Sequence, residues 1–151
     1  MLSPYRRLAS LDRSRRRIFV EAATLTTLVW AGLRMMPFLR LERWLDRLAA
    51  PPIATGREPD LSRQIAEVNW AETAVANRFM PATCLVQALA GSVMLRRRGI
   101  ACELRIGVRH RATAGPAPIE AHAWLECEGR VAVGNIESLP ELTIMARPGR
   151  R

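Results

Sequence analysis

A cysteine opens the apolar segment Thr83-Cys84-Leu85-Val86-Gln87, and a histidine follows within the alternating run Glu120-Ala121-His122-Ala123-Trp124. A thiol and an imidazole are the two parts from which a cysteine nucleophile with its own general base is built. Placing the thiol at the start of a helix adds to this, because the partial positive charge there favours the thiolate, the form that attacks. The chain has 2 His, and His110 lies between Arg109 and Arg111, where a surface position is expected. His122 is therefore the candidate base. A third group normally holds the imidazole in its working tautomer. If Glu128-Gly129 is a hairpin turn, counting back from it sets 126 against 131, 124 against 133 and 122 against 135, which puts Asn135 across from His122. Asn135 ranks first for this role and Glu137 second, with a backbone carbonyl or no third group left open.

These residues need a rigid frame, and the pattern supplies one. Asp12 to Met36 carries Ile18, Ala22, Leu25, Leu28, Val29 and Leu33 near helical spacing, and Pro37 ends it. Phe38 to Ala49 reads as a second helix with Leu41, Leu45 and Leu48 set largely apart from Arg40, Arg43 and Arg47. Pro51 to Pro59 reads as a linker. Asp60 is the N-cap of a third helix to about Phe79, and Thr83 caps the Cys84 helix, which Gly99 terminates. Beyond Gly99 the period changes to alternation in three runs, Ala101 to Val108, Glu120 to Cys127 and Arg130 to Gly134, the signature of antiparallel strands. Along the second run His122, Trp124 and Glu126 share one face, and Trp124 is expected to pack against the Cys84 helix. The Gly/Pro-containing stretch Arg111 to Pro118 reads as a loop beside the His strand.

Composition bounds the rest. The chain has 151 residues, 49% of them hydrophobic, enough for one domain with a core. Its net charge is +9, and all 23 basic residues are Arg. The Arg blocks read as solvated helix faces. The 3 Cys show no metal-ligand spacing, so no metal and no cofactor are expected. With no secretory signal at the start, a reducing cytoplasm follows, in which Cys102 and Cys127 each pack as a small hydrophobe. The apolar run Ile18 to Leu33 is interrupted by Glu21 and closed by Arg34, short of the ~20 apolar residues a spanning helix needs. A buried or amphipathic helix is expected, with peripheral contact to an anionic membrane the lesser alternative.

Taken in order, Ala82-Thr83-Cys84-Leu85-Val86-Gln87-Ala88-Leu89, Arg96-Arg97-Arg98-Gly99-Ile100, Arg105-Ile106-Gly107-Val108-Arg109 and Ala121-His122-Ala123-Trp124-Leu125-Glu126 resemble the leader peptidase of lasso-peptide biosynthesis. That family is the stand-alone counterpart of the C-terminal half of the microcin-processing B protein, within the transglutaminase-like superfamily. The resemblance implies an α+β fold: N-terminal helices, then a transglutaminase-like or papain-like core with a central Cys-bearing helix packed on a small antiparallel sheet. Residues 1–50 would form a basic helical region and 60–145 the peptidase core, the two treated as one compact domain. It further implies a cysteine peptidase that removes the leader from a ribosomally made lasso precursor through a Cys84 thioester. Implied partners are the precursor leader peptide, a separate leader-recognition protein and the lasso cyclase. The family commonly carries Asp near the end of the second hairpin strand, where this chain has Gly134-Asn135. Two alternatives stand beside this reading. One is transglutaminase-type acyl transfer at the same site. The other is a basic helical module that binds nucleic acid or a membrane surface and buries Cys84, although motifs with interleaved aromatics for nucleic acid are lacking.

Overall fold

The structure, a computed structural model, describes residues 12–49, 60–78, 83–110, 119–137 and 139–145. The linker expected at Pro51 to Pro59 and the loop at Arg111 to Pro118 lie outside the described residues.

Four helices precede the strands. Helix α1 spans Arg13–Met35, starts on Asp12, whose carboxylate accepts from the Arg13 N–H, and buries Ile18, Phe19, Ala22, Leu25, Thr26, Val29 and Gly32. Pro37 separates it from α2, Phe38–Leu48, which buries Leu41 and Leu45. The joint is close because position 32 is Gly: a Cβ there would meet a Leu41 methyl at 2.6 Å. Helix α3, Leu61–Arg78, begins on Asp60, whose Oδ1 accepts from the Arg63 N–H at 3.1 Å.

Helix α4, Cys84–Arg97, buries eight of its residues from Val86 to Leu95 and is the central element of the core. A helix that is apolar on all sides belongs inside, whatever its amphipathicity. Gly91 lets β-sheet side chains approach it, since a Cβ there would come within 2.9 Å of Val133. Its end is set by Gly99 at φ +81, where the Ile100 N–H reaches back to the Leu95 carbonyl at 3.1 Å.

Strands β1 (Cys102–His110), β2 (Ile119–Cys127), β3 (Arg130–Val133) and β4 (Thr143–Ile144) form a four-stranded antiparallel sheet in the order β3-β2-β1-β4. Glu128 and Gly129, both at positive φ, make the tight turn between β2 and β3. Leu104, Ala123, Leu125 and Val133 join the helices in the core, so α4 lies on that face of the sheet.

Three expectations are corrected. The β2–β3 register keeps Glu126 against Val131, but a shift between Leu125 and Glu126 then sets Leu125, not Trp124, against Val133. The one-residue slip removes Asn135 from the position facing His122. Cys102 and Cys127 are joined in a disulfide rather than packed as separate thiols, because the β1–β2 register makes them direct partners, with Cα atoms 4.2 Å apart. Trp124 does not pack on α4; it lies on the opposite face, over Gly107, where a Cβ would meet its ring at 3.0 Å and Leu142 at 2.8 Å. A short 3-10 turn, Leu139–Glu141, and β4 had no signal in the alternation; β4 is only two residues long.

Candidate active site

Cys84 is the first residue of α4, and Thr83 in an extended conformation caps the helix, its hydroxyl accepting from the Val86 N–H at 3.4 Å. The side chain is half-buried and is the free thiol among the described residues. Its Sγ accepts from the Ala123 N–H at 3.4 Å. Thus α4 brings the thiol to the backbone of the residue that follows His122.

The reason a sulfur occupies that place is the end of β3. The last β2–β3 partners are Leu125 and Val133, and Gly134 then turns away at φ +83. A Cβ on Gly134 would stand 2.9 Å from the Ala123 carbonyl and 3.2 Å from Trp124 Cα, so only glycine fits both the conformation and the space. The diverted strand leaves the Ala123 N–H without a ladder partner, and a buried N–H needs one. Cys84 supplies it.

The same turn holds the imidazole. His122 Nε2 lies 2.7 Å from the Gly134 carbonyl oxygen. A carbonyl only accepts, so Nε2 carries the proton and Nδ1 is left as the basic nitrogen. The ring is stacked with Trp124, with centroids 6.4 Å apart and planes 13° from parallel, and Gly107 is its cross-strand neighbour. Arg109 borders this face, bridging Glu120 at 2.9 Å and also Glu141.

Of the three residues singled out in the sequence, Cys84 touches β2 at the Ala123 N–H, one residue along from His122, the His122 ring sits on the Gly134 carbonyl, and Asn135 is exposed. The group on the imidazole is the carbonyl one residue earlier. Glu137 is also exposed. His110, as expected, is exposed. Sequence reasoning missed Gly134 as the residue that shapes the site; its signal was a glycine directly after a strand that faces the His strand. It also missed Glu72, which is fully buried on α3. Thr26 of α1 donates to its Oε2 at 3.0 Å, its Oε1 has no partner among the described residues, and burial raises its pKa from 4.5 to about 8. The signal there was position: Glu72 falls in the apolar stripe with Val68 and Val75. No cluster of His, Cys, Asp and Glu suited to a metal occurs among the described residues.

A capped helix brings a half-buried thiol to the backbone of the strand that carries the histidine, on an α+β frame. Residues 32–147, more than half of the chain, match the model of the Transglutaminase-like superfamily, and the chain belongs to that superfamily. Its members are typically cysteine-dependent enzymes, among them peptidases and acyltransferases. No curated protein and no solved structure matches the chain.

Proposed function

We propose that this protein is a cysteine peptidase that cleaves one peptide bond of a ribosomally made precursor, removing the leader of a lasso peptide. One observation carries the chemistry: the Gly134 turn sets the Cys84 sulfur on the Ala123 N–H and the His122 ring on the Gly134 carbonyl at a single strand edge. The ordered sequence motifs, with superfamily membership behind them, support the substrate class.

In this reading the Cys84 thiolate is held by a charge-assisted hydrogen bond from Ala123 and attacks the scissile carbonyl carbon. The new oxyanion is met by the Cys84 and Leu85 N–H groups, which have no intrahelical acceptor at a helix start. His122 as imidazolium gives its Nδ1 proton to the departing amine, the C–N bond breaks, and a thioester remains. Neutral His122 then takes a proton from water through Nδ1, the hydroxide adds to the thioester, and the C–S bond breaks to return the thiolate. The Gly134 carbonyl keeps the Nε2 proton in place through both halves. Asn135 and Glu137 remain outside this scheme as exposed neighbours. A leader-recognition protein and a cyclase are the proposed partners, the first presenting the precursor and the second closing the ring afterwards.

The test is reconstitution with the cognate precursor, followed by mass spectrometry. Cleavage with addition of water at the new C-terminus, lost in Cys84→Ala and His122→Ala, is the expected result. Cleavage that survives Cys84→Ala would remove the nucleophile. A product bearing an added amine in place of water would move the assignment to acyl transfer.

A further inference from the structure

The long helix α1 has a second face that the core does not use. By length and apolarity it is the one described helix that passes for a membrane span, yet only 33% of its apolar window is buried. In the sequence, Glu21 interrupts the apolar run. In the fold Glu21 turns sideways to the end of α4, where Arg98 Nη2 meets its Oε2 at 2.7 Å, so that its charge is paired and its side chain is 28% exposed. Between Arg17 and Arg34 the outward face carries no exposed charge.

What it does carry is apolar. Val20 is 55% exposed, Leu28 42%, Trp30 36% and Met35 81%. Thr24 and Thr27 stand among them, but their hydroxyls donate to the Val20 and Ala23 carbonyls at 2.8 and 2.7 Å, leaving methyl groups outward. Those hydroxyls are already satisfied, so covering the face with an apolar medium strands no donor. Arginines mark both ends: Arg13, Arg16 and Arg17 at the start, and Arg34 at the finish with its guanidinium 4.2 Å from the Trp30 ring.

From Val20 to Met35 the stripe runs about 22 Å at ~1.5 Å per residue. It is backed by Phe19, Ala22, Leu25 and Val29 in the core. Such a helix lies in an interface and does not cross it. We infer that the outer face of α1 seats the protein on an anionic lipid bilayer. Val20, Leu28, Trp30 and Met35 enter the headgroup boundary, and the terminal arginines lie against lipid phosphates. Charge decides for this occupant: arginine collars around an uncharged stripe complement negative headgroups around an apolar interior, and Trp and Arg are the side chains that settle at that boundary. The inference does not depend on Cys84 chemistry.

Flotation of the full chain with phosphatidylcholine vesicles, with and without a third of phosphatidylglycerol, tests it. Flotation with the anionic vesicles alone is expected, and Val20→Glu/Leu28→Glu should weaken it by at least about tenfold. Both residues are exposed, and a melting curve checks the fold. A second measurement needs no destabilising variant: brominated lipid should quench tryptophan fluorescence of the wild type, and Trp30→Phe should remove most of that quenching. No flotation, flotation unchanged by the double glutamate, or quenching unchanged by Trp30→Phe would each overturn the inference. So would a double glutamate that floats normally but no longer binds a protein partner, which would assign the face to that partner.

Discussion

Replacing Glu72 by Gln isolates one titration in the core and should change how stability depends on pH. Glu72 is fully buried between α3 and α1, with Thr26 on one oxygen and no partner among the described residues on the other. Desolvation is the main cause of its rise from 4.5 to about 8, opposed by the Thr26 hydrogen bond and assisted by the charge of Glu21. The folded chain therefore keeps a proton that the unfolded chain releases in between. A raised acid contributes its full stability below the unfolded value, and loses it as pH climbs towards the folded one. Each pH unit of that window is about 1.4 kcal/mol. The span from 4.5 to about 8 is on the order of 5 kcal/mol, of which about 3 kcal/mol is gone at neutral pH. Urea melts at a series of pH values across the window, for wild type and Glu72→Gln, measure it. Gln has nearly the same shape, so it should cost no more than about 1 kcal/mol in acid. At neutral pH and above it should be the more stable protein, with the falling slope abolished. Subtracting the two curves removes every other titrating group. Parallel slopes in the two proteins would refute the buried, protonated state of Glu72.

Two further outcomes follow from the strand edge and the hairpin. Gly134→Ala must place a Cβ 2.9 Å from the Ala123 carbonyl at φ +83, so the turn has to shift and carry the Gly134 carbonyl off His122. A displacement of that kind should lower kcat about 100-fold with little change in KM, and alter the pH profile of kcat/KM. Asn135→Ala is the paired measurement, and a larger loss there than in Gly134→Ala would return the orienting role to the amide. Reducing the Cys102–Cys127 bond releases a loop with a sequence separation of 25. This should cost about 3 kcal/mol and lower Tm by roughly 6–12 °C. A Tm indifferent to reductant, with Cys84 blocked beforehand, would mean that the two thiols pack unbridged.

Much of the frame was readable from local chemistry. Asp60 and Thr83 precede helices as caps, Pro37 and Gly99 end them, and Glu128-Gly129 turns the hairpin, because each of these acts within a few residues of itself. The helix bounds fall within a residue or two of their expected places for that reason. The elements that carry the two candidate residues were readable: Cys84 at a helix start and His122 in a strand. What misled was the count across the hairpin. Strand alternation assumes an unbroken ladder, and one shift beside Leu125 changed which residue meets His122.

The sequence by itself determined which secondary elements carry the candidate thiol and imidazole, since caps, turns and periodicity are short-range effects. Only the tertiary structure decided what those side chains touch: the Cys84 sulfur on Ala123, the His122 ring on the Gly134 carbonyl, Cys102 bonded to Cys127, and Glu21 drawn to Arg98. Each of these is a meeting of residues distant along the chain. Strand register and helix packing set such meetings, and one bulge or one close glycine contact is enough to redirect them.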